Sequence, residues 1–301
     1  MFAYELHRPA SQIRNYIQNY HFIQGSSLSV HQRTSCLSNV SLIINYGDEF
    51  HTVTDDNIFH KYANGIYTAG MFLYPRNYGK LIPDLRVIVV DFAHEFLNSV
   101  FRENMELLTN SCIEIQNFRH LKNLSSLTEK LSEAENSQEK LNILNSTFAE
   151  FFCTLDLTQN EMSLRMMDAV NAAEGNISIR DLSRELDCSE RTLRRKSIQA
   201  FGVSPVQYIR TVKAEFAIAR LLFDEESEMQ DLVFDFGYYD QSHFIHDVQS
   251  AISLSPGTVR KIRHLPEMQS LRALLRHRHN GCNMHKRGSG EMKTVFDKCK
   301  D

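Results

Sequence analysis

Apolar residues along this chain change their spacing near residue 95. Before it, they recur at every second position or in short unbroken runs. Val40, Leu42 and Ile44 alternate with Ser41, Ile43 and Asn45, and Gly47-Asp48 then offers a turn. Asn64-Gly65 is a second turn signal, and the strand-like run Ile66–Tyr74, with Gly70 inside it, follows. Arg86-Val87-Ile88-Val89-Val90 suits a strand buried on both faces. Short strands punctuated by turns predict a small sandwich or barrel over residues 1–94.

Helical spacing takes over afterwards. Leu121, Leu124, Leu127 and Leu131 form one stripe. Leu141, Leu144, Phe148, Phe151 and Phe152 form a second, at i, i+3, i+7, i+10 and i+11. Ser132–Lys140, polar and charged, reads as the connection between two helices. Such stripes serve either as core or as a dimer seam, and spacing leaves both open. Residues 95–160 are therefore expected to be a helical linker or dimerisation segment.

From Glu161 to about Arg263 the chain is dense in helix punctuation. Ser178 is a good N-cap with Asp181 at N3, and Ile179, Leu182 and Leu186 point inward. Asp187-Cys188 makes a tight turn, Ser189 caps a helix over Glu190–Phe201, and Gly202 ends it. Two short helices joined by a tight turn are the skeleton of a helix-turn-helix. Ser204-Pro205 then opens a long helix whose apolar stripe is Ile209, Val212, Phe216, Ala219 and Phe223. An acidic loop, Asp224–Glu228, leads to a short helix, Met229–Phe236, ending at Gly237. Asp240 caps a last helix, Gln241–Ser250, with Phe244 and Val248 inward. The pattern is a second helix-turn-helix.

Arg191, Arg194 and Arg195 fall at i, i+3 and i+4 and share one face of the Glu190–Phe201 helix, with Lys196 beside them. A helix docked in the major groove uses its N-terminal half to meet base edges, and arginine pairs with guanine or with phosphate. A solvated charged face gives the same pattern. In the second unit Gln241, Ser242, His243 and His246 lie on or near the outward face.

The run "SERTLRRKSIQAFGVSPVQYIRTVKAEFAIARLL" and the later "FGYYDQSHFIHDVQSAISLSP" resemble the AraC/XylS family of transcription regulators. The matching positions are Ser189, Leu193, Arg195, Gly202, Ser204-Pro205, Tyr208-Ile209, Ala217 and Leu221-Leu222. Gly237, Tyr238, Asp240, Ser242-His243-Phe244 and Ser255-Pro256 follow in order. The resemblance spans roughly residues 162–263. It implies two helix-turn-helix units joined by one long helix, reading successive major grooves ~34 Å apart on double-stranded DNA. Arg191, Arg194, Arg195 and Lys196 would meet one groove, and Gln241, Ser242, His243 and His246 the other. The N-terminal arrangement is loosely similar to the cupin-like sensor domains of this family. The resemblance thus implies an effector there, a homodimer, and RNA polymerase as a further partner.

Several positions depart from the family pattern. Residues 178–213 hold eight Lys/Arg against four Asp/Glu, but residues 214–259 hold one against nine. Phosphate neutralisation drives DNA affinity, so the second unit is expected to bind weakly alone. His246, Asp247 and Gln249 stand where the family carries basic charge nearby. Ser253 replaces a glycine, and Ser197 and Val248 replace core phenylalanines.

Composition adds limits. The chain has 301 residues, 42% hydrophobic and 23% charged, with a net charge of −4, ordinary for a globular protein of two domains. Met1–Gln12 lacks the form of a secretory signal, and no apolar run is long enough to span a bilayer. Six cysteines without a Cys-x-x-Cys pair read as free thiols, so a cytoplasmic location is expected. His31, His51, His60 and His94 lack the spacing of a cupin metal site. Residues 264–301 form a basic tail, expected to be largely disordered. Its His277, His279, Cys282 and His285 are ligand types that suit zinc, but incidental polar residues read the same way. No phosphate loop, nucleophile elbow or His-Glu-x-x-His occurs, so no enzyme, cofactor or metal is expected.

The expected fold is multidomain α+β. A β-rich cupin-like domain (1–94) precedes the helical segment (95–160), an all-α domain with two helix-turn-helix units (161–263) and the tail. The expected function is sequence-specific transcription regulation. The alternative is a drifted sensing or protein-interaction module that no longer binds DNA.

Overall fold

The computed structural model describes residues 2–28, 33–34, 40–54, 59–73, 76–78, 82–265, 268, 271–272 and 275–276. Among the described residues the N-terminal half opens with nine strands: β1 (Phe2–His7), β2 (Ile17–Leu28), β3 (Arg33–Thr34), β4 (Ser41–Asn45), β5 (Phe50–Thr54), β6 (Phe59–Tyr62), β7 (Gly65–Ala69), β8 (Arg76–Tyr78) and β9 (Ile82–Phe92). Two short helices, α1 (Leu97–Phe101) and α2 (Met105–Leu108), lead into β10 (Cys112–Glu114). Helices α3 (Leu127–Glu133) and α4 (Ser137–Cys153) follow. The strands form two antiparallel sheets, one ordered β1-β2-β9-β4-β7-β10 and the other β3-β8-β5-β6.

Register explains how the large sheet divides its side chains. Phe22 and Leu42 lie opposite Ile88 and Val90 of β9, and Ile44 lies opposite Ile88 on the other side. Side chains alternate across a strand, so these residues share one face. Leu97, Phe101, Leu124, Leu127, Leu131, Leu144, Phe148 and Phe152 cover that face. Ile23, Ile43, Val87 and Val89 point the other way, toward Phe50 and Tyr62 of the small sheet.

The apolar stripes of residues 121–152 are therefore core, not a dimer seam. Leu121, Leu127, Leu131, Leu144 and Phe148 are all fully buried within the chain. Two local expectations change. The connection between the helices is short, and Lys140, read as part of it, lies buried within α4. The strand begun at Gly65 stops at Ala69, and at Gly70 the backbone passes so close to α2 that a Cβ would stand 1.9 Å from the Leu108 carbonyl oxygen. The strand β10 also comes from within the stretch read as helical linker, and it pairs with β7.

The C-terminal half is helical: α5 (Glu161–Ala172), α6 (Ile179–Glu185), α7 (Glu190–Phe201), α8 (Pro205–Phe223), α9 (Met229–Asp235), α10 (Gln241–Ile252) and α11 (Pro256–Ile262). One core joins them, and most of α8 is buried at its centre. Met268, Leu271 and Leu275 enter the same core, and Arg272 donates to the Leu222 carbonyl at 2.8 Å. Met268, Leu271, Arg272 and Leu275, within the segment read as a disordered tail, are thus packed. Among the described residues no helix is long and apolar enough to cross a membrane.

Phe148 gives a direct check of core against seam. Its ring lies 6.1 Å from those of Phe92 and Phe152 and 6.2 Å from that of Tyr20. Phe148→Ala is expected to lower unfolding free energy by about 3–5 kcal/mol in denaturant titration. A change of oligomeric state at unchanged stability would instead indicate a seam.

Candidate nucleic-acid interface

Local capping builds the first helix pair. Ser178 accepts from the Asp181 backbone N–H, and its hydroxyl donates to the Asp181 carboxylate at 2.6 Å. That hydroxyl, helped by Arg184 and Arg180, holds the Asp181 carboxyl below its usual range against desolvation. Asp187 turns the chain in the left-handed region, at φ 50°. Ser189 then accepts from the Thr192 N–H and starts α7.

On α7, Leu193, Ser197, Ala200 and Phe201 face the core, while Arg191, Arg194 and Arg195 are exposed and Lys196 is half-buried. Ser197 is satisfied in its buried site because its hydroxyl donates to the Val203 carbonyl at 2.8 Å. Among the described residues, none of the three arginines is held in an ion pair. They form an open cationic face on the N-terminal half of the helix.

Ser204 and Gln207 close a reciprocal capping box at the head of α8, with Pro205 at its first turn. Phe201 stacks on Tyr208 with ring centroids 4.3 Å apart, fixing α7 against α8. At the other end, the buried Arg220 pairs with Asp224 and Asp235, each at 3.2 Å. Burial opposes ionisation of Asp224, but bonds from Ser227 and Glu226 and the Arg220 charge outweigh it and bring its pKa to about 2. Arg260 donates to the Ser227 carbonyl from α11. The acidic loop is therefore braced to both α8 and α11.

The second pair ends in α10, which Asp240 caps by accepting from the His243 N–H at 2.8 Å. Gln241, Ser242, His243 and His246 are all exposed on this helix, so the structure gathers the second expected set on one element. Ser253 ends it in the left-handed region at φ 51°, the conformation a glycine adopts most easily. Tyr238 is buried in the turn, edge-on to His243 and beneath the Lys213 ammonium at 4.4 Å. Burial pushes the Tyr238 hydroxyl up and the Lys213 ammonium down from their ordinary ranges. Sequence reading took Asp247, with His246 and Gln249, as standing where the family carries basic charge nearby. It is buried and paired with Arg210 of α8 instead. Its place on the apolar stripe with Phe244, Val248 and Ala251 was the available signal that a cation must answer it.

The remaining candidates scatter. His51 lies 3.5 Å from Glu49, His60 is half-buried, and His94 is buried with its ring 5.8 Å from Phe201. Among the described residues no group of three His, Cys, Asp or Glu side chains converges as a metal site. His31, His277, His279, Cys282 and His285 lie outside the described residues.

A contact that sequence reading did not anticipate links the two halves at the end of α7. Gly202 caps the helix at φ 77° and lies directly against α2. A Cβ there would stand 2.3 Å from the Met105 carbonyl oxygen and 2.4 Å from Thr109 Oγ1. Thr109 donates to the Gly202 carbonyl at 3.0 Å, and Asn98 donates to the Gln199 carbonyl at 3.0 Å. Met71, from the loop after β7, enters the C-terminal core. Gly202→Ala is therefore expected to cost at least ~1–2 kcal/mol from backbone handedness alone. It should also speed amide exchange in both α2 and the last turn of α7. Faster exchange in α7 alone would mean that the two halves are not coupled here.

Residues 182–262 match the family model described as "Helix-turn-helix domain". No curated protein matches the chain. In overall structure the chain is similar to an apo variant of ToxT from Vibrio cholerae, at 13% identity and a TM-score of 0.47, covering 80% of this chain and 97% of that one. It is also similar to ToxT from Vibrio cholerae with unsaturated fatty acid bound, at 12% identity, a TM-score of 0.43, and coverage of 86% and 94%. The AraC-like transcriptional activator CuxR is similar at 16% identity and a TM-score of 0.26, over 72% of this chain and 78% of that one. At these identities and TM-scores the structural likenesses carry no weight for function. Over residues 182–262, where the capped helix pairs and the long helix between them lie, the chain carries a helix-turn-helix domain of the AraC type.

Proposed function

We propose that this chain is a sequence-specific, DNA-binding transcription regulator that reads two successive major grooves. The observation that carries the reading is the open face of α7, where Arg191, Arg194 and Arg195 are exposed and free of ion pairs among the described residues. Lys196, half-buried beside them, supplies a phosphate contact from the flank. Gln241, Ser242, His243 and His246 meet the second groove. The first groove contributes most of the affinity, because residues 178–213 carry a net +4 and residues 214–259 a net −8.

The proposal includes control through the N-terminal domain. The contact of Thr109 and Met105 with Gly202 supports it, because a shift of α2 bears directly on the end of the first recognition helix. An effector would act from between the two sheets. On the face of the large sheet turned away from the helices, half-buried Tyr4 joins buried His21, Asp91 and Ser41 in a polar chain, with His21 Nε2 2.7 Å from Asp91 and Ser41 donating to Asp91 at 2.7 Å. Burial, then the Asp91 charge, pushes the Tyr4 hydroxyl above its usual range, so it stays protonated and donates to His21 Nδ1 at 2.6 Å. The protein acts in the cytoplasm as a homodimer, together with RNA polymerase. The dimer uses a surface other than the α3–α4 stripe, which is spent on the core.

A second reading, a protein-interaction module that has lost DNA binding, has one observation in its favour. In the acidic second unit Phe234 and Tyr239 are 85% and 94% exposed. Such apolar groups inside an acidic surface suit a protein partner.

Salt dependence separates the two. Binding of the full-length chain to a random-sequence duplex pool should weaken linearly on a log–log plot against salt, with a slope of about −3 or steeper. Arg194→Ala and Arg195→Ala should each weaken binding about tenfold or more, and His246→Ala clearly less. A flat salt response supports the interaction module, and equal losses at all three positions contradict the asymmetry.

A further inference from the structure

Arg210 belongs to neither recognition helix, yet its guanidinium sits at the outward face of α10. Its Nε and Nη2 donate to Asp247 Oδ1 at 3.1 and 2.5 Å, and Nη2 lies 3.4 Å from His246 Nδ1. Asp247 is only 4% exposed, at a position where α10 otherwise presents apolar side chains to α8. A carboxylate there is tolerated only if a cation answers it. Arg210 is the nearest such cation, with His246 Nδ1 at 3.7 Å and His243 Nε2 at 3.9 Å on the same carboxylate oxygen.

The pair does more than satisfy a buried charge. Half of the Arg210 side chain stays in solvent, 51% exposed, beside the exposed His246 and His243. Guanidinium has five N–H donors in a planar fork. Only Nε and Nη2 are directed at Asp247, so the Nη1 donors remain for an anion outside. Gripping Asp247 through two nitrogens removes most of the rotamer freedom of a long side chain, so an incoming anion meets a cation already in place. This matters here because residues 214–259 hold nine acidic residues and one basic residue, the Arg220 already committed to Asp224 and Asp235.

We propose that Arg210, aimed by the buried Asp247, is the cation that contacts a DNA phosphate flanking the second groove. The inference rests on the DNA-binding reading given above. The second unit then takes its phosphate contact from the linker helix, and the missing charge on α10 is supplied from outside it. Asp247 acts as a positioning residue in this arrangement and does not itself touch DNA.

The test uses the full-length chain, a salt titration on the random-sequence duplex pool, and a footprint on a duplex recovered from that pool. Arg210→Met strands Asp247, so the decisive variant is Arg210→Met with Asp247→Val, which replaces the ion pair with apolar neighbours. Its thermal unfolding reports whether the domain is intact. The double variant is expected to bind about tenfold more weakly, with a salt slope smaller by about 0.9 and protection lost at one half-site only. Arg210→Lys keeps the charge and should retain most of the slope. A folded double variant with the affinity, slope and footprint of the unaltered chain would overturn the proposal and leave Arg210 as a partner of Asp247 alone. So would Arg210→Lys as impaired as Arg210→Met. Failure of the unaltered chain to bind DNA with any salt dependence would overturn the DNA-binding reading itself, an outcome visible before any variant is made.

Discussion

The C-terminal end of α7 is the point on which the two halves of this molecule depend. A helix often ends on a residue at positive φ, and at the end of α7 Gly202 provides it at 77°. Here the missing Cβ has a second use. The Met105 carbonyl and the Thr109 hydroxyl of the N-terminal half occupy the space where that Cβ would be. Handedness and interdomain approach are therefore satisfied by one glycine. The helix that carries Arg191, Arg194 and Arg195 cannot move at its C-terminal end without disturbing α2. Because β10 begins three residues after Thr109 and pairs with β7, that disturbance reaches the large sheet within a few residues.

The second helix-turn-helix is held differently. It shares the single core of the helical half, and residues 214–259 hold nine acidic residues against one basic. Two ion-paired sites, each with one buried partner, secure it to α8: buried Arg220 with Asp224 and Asp235 at one end, and buried Asp247 with Arg210 at the other. Buried ion pairs add little net stability compared with apolar packing, but breaking one partner away is strongly destabilising. They therefore favour one orientation of α10 on α8 over the alternatives. That is the property which the proposed reading of two grooves at a set spacing would require.

What could be read from sequence divides along the same physical line. Ser178, Ser189, Ser204-Pro205, Gly202 and Asp240 act within one turn of themselves, so the C-terminal helices and their boundaries were legible. Alternation at Val40–Asn45 and the apolar run Arg86–Val90 announced strands, but not that β9 lies between β2 and β4, because pairing is non-local. The stripe from Leu141 to Phe152 said that a face was buried without saying against what, and it proved to be the large sheet. Thr109 and Asn98 are ordinary polar residues whose importance lies in what approaches them from some ninety to one hundred positions away. Asp247 on an apolar stripe was a visible anomaly, and only the fold identified Arg210 as its answer.

In the proposed function, two linked units read DNA together, the first more strongly than the second. Selection of bound fragments from a genomic pool by the full-length chain, at low and moderate salt, tests it most directly. The account predicts a recovered motif with two half-sites about one helical turn apart, the half-site read by α7 being the more tightly specified. Failure to enrich any fragment at low salt, with the protein shown to be folded, would contradict it.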